Sequence, residues 1–165
     1  MRIYVPATTT QLRELLDTGV LGSAPVTAFA VTPELREWYV DDEIEELEYA
    51  AMLEAARASL RLLDADPGAA RRRVVVAAEV PDPLVTVRDD LDRGVVRVAE
   101  PVAMTHVASV HMDDDDAEPA VAAAAEAILP ADLGDGSAQQ AVDDAEGFEL
   151  SWYATQEIGA LLELL

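Results

Sequence analysis

An uninterrupted apolar run near the middle of the chain constrains the fold more than any other feature. Residues 74–78 read Val-Val-Val-Ala-Ala, with Arg73 before them and Glu79 after them. A strand that is covered on one face alternates apolar and polar residues, whereas an apolar run is typical of a strand covered on both faces. The run therefore predicts a central strand over 73–80, inside a sheet that has other elements packed on both sides.

The segment 42–63 predicts the longest helix, because its apolar residues recur at helical spacing and its glutamates precede its arginines. Strands and helices interleave along the remaining chain, and 165 residues most simply form one domain. We expect a single α+β domain over 1–165, with a mixed sheet of about five to six strands and helices packed on it. The other predicted strands are 2–6, 26–31, 95–99, 102–112 and 148–153, and the other predicted helices are 8–18, one starting at Pro33, 117–129, 138–145 and 155–165.

The charge of the chain excludes several classes of partner. There are 33 acidic residues against 11 arginines and no lysine, which gives a net charge of −22. A field this negative repels phosphates, so we expect no nucleic acid and no anionic membrane as partners, whereas a basic protein is attracted. Solubility and salt adaptation both explain such acidity. No apolar run has the roughly 20 residues of a membrane span, and no signal peptide is recognised, so we expect a cytoplasmic protein.

No motif for a catalytic, cofactor or metal site is found. The chain has no cysteine, no glycine-rich phosphate loop and no Gly-x-Ser-x-Gly or His-Glu-x-x-His motif. His106 and His111 are five residues apart on one predicted strand, so they point to opposite faces. Ser59 and Ser109 have no plausible base beside them, and the acidic run 113–116 lacks the spacing of a calcium loop. We predict no cofactor and no metal.

Three consecutive arginines at 71–73 form the one basic cluster of the chain. Because they precede the central strand in a very acidic protein, we expect them to pair with acidic side chains of the same chain. An anion site is the alternative.

Both tryptophans occur in Trp-Tyr pairs that open a similar pattern, at 38–47 and 152–161, with Trp, Tyr, Glu, Ile and Leu at the same offsets. The fourth place holds Asp41 in one copy and Thr155 in the other, and both residue types cap helices, so each pair is expected to precede a helix. The first pair follows a predicted helix and the second ends a predicted strand, so the repeat is not a duplicated unit. We expect both tryptophans to lie in the core or line a groove, and both tyrosine hydroxyls to meet water or a polar partner.

The absence of a catalytic arrangement favours a non-enzymatic domain that binds a protein partner or self-associates as a homodimer. The terminal helix is strongly apolar, and it would form an interaction surface if the sheet did not cover it. The candidate partner-binding or groove-lining residues are Trp38, Tyr39, Trp152, Tyr153, Leu161 and Leu165.

Five blocks of sequence carry a resemblance to other proteins: MRIYVPATTT at 1–10, FAVTPELREWY at 29–39, RRVVVAAEVP at 72–81, HVASVHMD at 106–113 and ELSWYATQE at 149–157. Together they resemble an uncharacterised family of short acidic proteins from high-GC Gram-positive bacteria. The resemblance extends over nearly the whole chain. It implies a cytoplasmic bacterial protein, and it implies no activity and no functional residues.

The order of the first elements is also similar to that of ADP-ribosyltransferase-like folds. A helix ending near 15–19 is followed by the strand 29–32, a helix and the strand 74–80. This resemblance implies an alternative function as a divergent NAD-binding enzyme, with Arg2, Tyr4 and Glu157 around its catalytic cleft. The Ser-Thr-Ser motif of those enzymes and their first-strand histidine are absent from this sequence.

Overall fold

The computed structural model describes residues 1–39 and 43–165. The strands are β1 (Arg2–Ala7), β2 (Val20–Leu21), β3 (Val26–Phe29), β4 (Val74–Glu79), β5 (Val85–Val87), β6 (Val95–Val98), β7 (Val102–Ala103), β8 (Val107–Met112) and β9 (Ser151–Ala154). The helices are α1 (Thr9–Thr18), α2 (Pro33–Trp38), α3 (Ile44–Ala65), α4 (Glu118–Asp132), α5 (Gly136–Glu146) and α6 (Ile158–Glu163). Short 3-10 turns precede β5, β8, α4 and α6.

In the described part of the chain, seven strands form one sheet in the order β5-β6-β3-β1-β4-β8-β9, and β2 pairs with β7 separately. The α+β class is confirmed. The prediction of a mixed sheet with five to six strands is wrong, because every neighbouring pair is antiparallel and the sheet has seven strands. A helical connection makes a parallel pair only when the two strands that it joins become neighbours in the sheet. The strands β3 and β4, which α2 and α3 connect, run in the same direction, but β1 lies between them and is antiparallel to both. The strands β8 and β9, which α4 and α5 connect, are neighbours and pair antiparallel.

The central position predicted for the apolar run is confirmed, since β4 lies between β1 and β8 and is buried on both faces. One face packs against α1 and α6, and the opposite face packs against α2 and α3. The first face contributes Ile3, Val5, Val76, Val110 and Met112 to the core, together with Leu12, Leu15, Ile158 and Leu161 from the helices. The second face contributes Tyr4, Phe29, Val75 and Ala77, together with Leu35, Ala51 and Ala55.

The two halves of α3 have different surroundings. In the C-terminal half (55–65), Leu60 and Leu63 are fully buried in a cluster formed with α4 and α5. The Arg61 guanidinium donates two hydrogen bonds to the Asp132 carboxylate, at 2.7 and 3.0 Å, and fixes this contact. In the N-terminal half (44–54), the outward side chains stay open to solvent. This open half forms the walls of the candidate site.

The pairing with acidic side chains predicted for the arginine cluster is confirmed for Arg72 and Arg73, but not for Arg71. Arg73 and Asp113 form a buried bidentate ion pair, in which the two guanidinium nitrogens lie 2.8 and 2.7 Å from the carboxylate oxygens. Arg72 donates to Glu118, and Arg71 donates to backbone carbonyls at the end of α3. All three cations are therefore held by groups of the same chain.

The predicted strand 102–112 is interrupted. A 3-10 turn spans Met104–His106, and the register between β4 and β8 shifts near Ala77. Before this register shift, the side chains do not alternate strictly between the two faces of the sheet. His106 lies in the 3-10 turn instead of the strand. From Ser109 to His111 the alternation holds, and these two residues point to the same face of the sheet.

None of the helices in the described ranges combines the length and apolar character needed to cross a membrane.

Candidate functional site

Two concave surfaces share the N-terminal half of α3. The first, called the inner cleft, lies between this half and the sheet and has a volume of about 450 Å³. Its walls are Arg2, Tyr4, Ser109, His111, Leu150 and Trp152 on the sheet side, and Glu45, Glu48, Tyr49 and Met52 on α3. The second, called the outer groove, has a volume of about 470 Å³ and is lined by Tyr39, Glu43, Glu45, Glu46, Tyr49, Ala50 and Leu53.

The antiparallel register explains how residues distant in sequence meet in the inner cleft. Side chains of directly paired residues point to the same face of a sheet. Tyr4 pairs with Ala77, which pairs with Ser109. One row further along, His111 pairs with Trp152 on the edge strand β9. The strands β1, β8 and β9 therefore each present polar or aromatic side chains to one surface, which α3 covers only in part.

The floor of the inner cleft contains a buried tyrosine hydroxyl. Tyr4 is buried, and its hydroxyl donates to the Glu48 carboxylate across a long distance of 3.5 Å. Burial, followed by the negative charge of Glu48, raises the pKa of Tyr4 to about 12. The hydroxyl therefore stays protonated at neutral pH and keeps both its donor and its acceptor capacity.

A serine and a histidine line the same cleft as Tyr4. The Ser109 Oγ is 3.3 Å from the His111 Nε2, and Ser109 is itself buried. The prediction that Ser109 has no base beside it is wrong, because residues two apart on a strand share a face. Burial, followed by the nearby Arg2 charge, lowers the pKa of His111, so its ring is neutral at pH 7. Among the described residues no carboxylate binds its other ring nitrogen, so the pair lacks the third member of a catalytic triad.

Charged groups stand at the edges of the cleft. The Arg2 Nε donates to the Glu79 carboxylate at 2.7 Å, which pairs this cation with an anion of the neighbouring strand. Glu45 and Glu48 face the cleft from α3. Trp152 is 60% exposed, so most of its ring is available to a bound molecule.

Five of the six candidate partner residues line three depressions, and Trp38 lies outside them. Trp152 lines the inner cleft, and Tyr39 lines the outer groove. Tyr153, Leu161 and Leu165 line a third depression, beside Arg72 and the acidic run 114–116. Trp38 is 63% exposed, so it does not lie in the core, which was one of the two positions predicted for it, and the Arg93 guanidinium lies 3.6 Å above its ring centroid in a cation–π contact.

The helix-cap prediction for the second Trp-Tyr pair is also wrong. The Thr155 hydroxyl donates to the Val107 carbonyl at 3.2 Å instead of accepting from the helix. The Glu157 carboxylate accepts from the Ala154 amide at 3.1 Å and takes the capping role at this point. The corresponding residue of the first pair, Asp41, lies outside the described residues. The hydroxyl of Tyr153 meets the Asp114 carboxylate at 3.4 Å, which confirms the polar partner predicted for it.

Of the alternative catalytic residues, the inner cleft unites two. Arg2 and Tyr4 both line it, whereas Glu157 is not among its lining residues and caps the end of β9. Glu48, Ser109 and His111 line the same cleft, and the sequence had not led us to expect them in one site. The i, i+2 spacing of Ser109 and His111 was the signal that could have revealed this pair.

Comparison with known proteins identifies one family model that matches the chain. The model of a family of unknown function, DUF6912, matches residues 1–162. The chain belongs to this family. The prediction of membership in an uncharacterised family is thereby confirmed, while a source in high-GC Gram-positive bacteria stays a prediction. No curated protein and no solved structure matches the chain. Within residues 1–39 and 43–165 of this DUF6912 member, no group of three or more His, Cys, Asp or Glu side chains is placed to hold a metal ion.

Proposed function

We propose that the chain is a binding domain that holds a basic segment of a partner protein in the outer groove. The observation that carries this proposal is a set of large apolar side chains left in solvent beside a row of glutamates. The proposal includes a cytoplasmic location, as the sequence predicts.

The apolar part of the outer groove has the composition of a binding surface. Tyr39, Tyr49 and Leu53 line it together and are 41%, 48% and 43% exposed. Exposed aromatic side chains that lie together are characteristic of the residues that dominate protein–protein affinity. The apolar side chains of a partner segment would cover these three residues.

The charge around the groove selects the partner. Glu43, Glu45 and Glu46 line the same groove, and the whole chain carries a net charge of −22. Complementary charge speeds association and suppresses binding of wrong partners. A segment with arginine or lysine beside its apolar residues fits, whereas a second copy of this chain would bring another −22 to the interface. The charge therefore favours a different, basic protein over a homodimer.

The protein already shows one contact of this type within itself. Arg93 lies over the Trp38 ring and also lines a depression that includes Tyr39 and Tyr49. An arginine of a partner could bind the exposed tyrosine faces in the same way, because the guanidinium stacks well on aromatic rings.

Two synthetic peptides test the proposal: an amphipathic peptide of leucine and arginine, and its counterpart with glutamate in place of arginine. We expect saturable binding of the basic peptide, measured by fluorescence anisotropy, and no binding of the acidic one. Leu53→Ser should weaken binding about tenfold or more, which corresponds to about 1.4 kcal/mol.

Leu133→Ser is the matched control, because Leu133 is 90% exposed in the turn between α4 and α5. It should leave the affinity unchanged. Equal loss in both variants, or binding that disappears completely at physiological salt, would show charge attraction without a groove and would contradict the proposal.

The alternative function as a divergent ADP-ribosyltransferase-like enzyme stays a prediction. A thermal-shift titration with NAD tests it, because a saturating ligand raises the stability of the folded state.

A further inference from the structure

The inner cleft contains polar groups that the proposed partner binding does not use. Tyr4 and Ser109 are both buried, and their hydroxyls line a cleft of about 450 Å³. Buried polar groups are normally satisfied by good hydrogen bonds, yet within residues 1–39 and 43–165 the Tyr4 hydroxyl makes one contact, which is 3.5 Å long. A small cleft with a few convergent polar groups and aromatic walls is the usual form of a ligand site.

We propose that the inner cleft binds a small organic ammonium ion, an alkyl or aryl amine. Its charged nitrogen would lie against the rings of Trp152 and Tyr49 and face Glu48 and Glu45, and its carbon body would lie against Met52 and Leu150. The inner cleft and the outer groove share Glu45 and Tyr49, but Glu48 and Trp152 line the inner cleft and not the outer groove, and Leu53 lines the outer groove and not the inner cleft. Variants of these three residues therefore separate this proposal from the partner-binding function.

The charges of the cleft favour a cation over an anion. The one cation among the lining residues, Arg2, is already paired with Glu79 at 2.7 Å. Glu45 and Glu48 add two carboxylates from α3. The local charge is therefore negative, and the field of the whole chain has the same sign.

The aromatic walls favour an organic cation over an inorganic one. Trp152 and Tyr49 both line the cleft and are 60% and 48% exposed. Tryptophan offers the strongest face for a cation–π contact, and a pocket of aromatic rings with carboxylates is the known way in which proteins recognise ammonium groups. Met52 and Leu150 extend the apolar wall for the alkyl part of the ligand.

The floor accepts ammonium hydrogens without repelling the charge. The Tyr4 and Ser109 oxygens are acceptors, and both hydroxyls are neutral at pH 7. The His111 ring is neutral as well, because burial and Arg2 lower its pKa. A protonated histidine at this position would oppose the ligand.

Three ligands of one shape test the proposal: n-butylamine, n-butanol and butyrate, which are positive, neutral and negative at pH 7.5. We expect calorimetry to show saturable binding of butylamine to one site, binding of butanol about tenfold weaker, and no binding of butyrate. In a Trp38→Phe protein, whose emission reports Trp152 alone, butylamine should change the fluorescence over the same concentration range.

Variants locate the site. Glu48→Gln and Trp152→Ala should each weaken butylamine binding about fivefold or more, since each removes one direct contact. Glu126→Gln is the matched control, because it removes one exposed helical carboxylate outside the cleft, on α4. It should change the affinity by less than about twofold.

Four results would overturn the proposal: no saturable binding of butylamine, equal binding of butanol, tighter binding of butyrate, or the same loss in Glu126→Gln as in Glu48→Gln. Binding of a lysine-containing peptide without binding of butylamine would also reject a free amine as the ligand. Leu53→Ser, which lies in the outer groove, should leave butylamine binding unchanged. The two proposed sites can therefore fail independently.

Discussion

The two halves of α3 lie over the same sheet but differ in how far other elements cover them. The C-terminal half is enclosed, with Leu60 and Leu63 buried against α4 and α5. Its Ser59 hydroxyl donates to the Ala7 carbonyl at 2.8 Å and accepts from the Val74 amide at 3.1 Å, which ties the helix to two strands. The N-terminal half leaves Tyr49 and Leu53 in solvent and borders both concave surfaces. The enclosed half is packed into the core, and the open half is the surface to which we assign the proposed binding.

Breaking the buried ion pair between Arg73 and Asp113 gives the largest expected change in the free energy of unfolding. Asp113→Ala removes both carboxylate acceptors of the buried Arg73 guanidinium and leaves it the Phe148 carbonyl, at 2.8 Å, as an acceptor. Breaking such a pair by removing one partner costs about 3–5 kcal/mol. We expect this loss in the free energy of unfolding, measured with urea.

Asp90→Ala is the control for this prediction, because Asp90 accepts two similar hydrogen bonds from Arg88 but its side chain is 63% exposed. Its removal should leave the unfolding midpoint almost unchanged. Similar losses in the free energy of unfolding for Asp113→Ala and Asp90→Ala would mean that the buried pair stabilises the fold no more than an exposed pair does.

Two leucines of α3 compare its halves directly. Leu60 is fully buried in the C-terminal half, and Leu53 is 43% exposed in the N-terminal half. Leu60→Ala should lower the free energy of unfolding by about 2–5 kcal/mol, because it leaves a cavity in the core. Leu53→Ala should change it by less than about 0.5 kcal/mol, as is usual for a surface position.

The same urea experiment checks both leucine variants. A loss above about 1 kcal/mol for Leu53→Ala would show that the open half also stabilises the fold. The assignment of Leu53 to a binding surface would then lose its basis.

The contrast between the halves could be predicted from the sequence only in part. The helix itself followed from its periodicity, and the predicted helix starts at 8 and Pro33 agree with α1 and α2, which Thr8 and Thr32 cap. Local signals of this kind are readable because they depend on residues a few positions apart. They do not show which side of α3 the helices α4 and α5 will cover, because that depends on contacts between residues far apart in sequence.

The site was harder to predict than the fold for the same reason. The inner cleft joins β1, β8, β9 and α3, and its assembly requires the antiparallel register between those strands. The interleaved order of strands and helices suggested a mixed sheet, which would have placed other residues beside Tyr4. Only the pair Ser109 and His111 is local enough to be recognised, since two residues on a strand two positions apart face the same way.

The ionisation of His111 gives the smallest expected change in stability, and it tests the electrostatics of the inner cleft. Burial, and then the Arg2 charge, lowers its pKa below the ordinary value of about 6.5. Above pH 6.5 the ring is neutral in the folded and in the unfolded chain, so it contributes no pH dependence. As the pH falls below 6.5, the unfolded chain takes up the proton first, and the stability of the folded state decreases until the folded ring is protonated too.

An NMR titration of the ring protons, assigned with a His111→Gln variant, measures this pKa. We expect a value below 6.5 in the native protein, and a higher one in Arg2→Gln, which removes the positive charge but leaves the burial. His111→Gln should also flatten the fall in stability below pH 6.5, although by less than either core substitution changes it. A native value at or above 6.5 would mean that solvent or Glu48 stabilises the protonated ring. The floor of the inner cleft would then carry a positive charge in mildly acidic solution, and its preference for a cation would weaken as the pH is lowered.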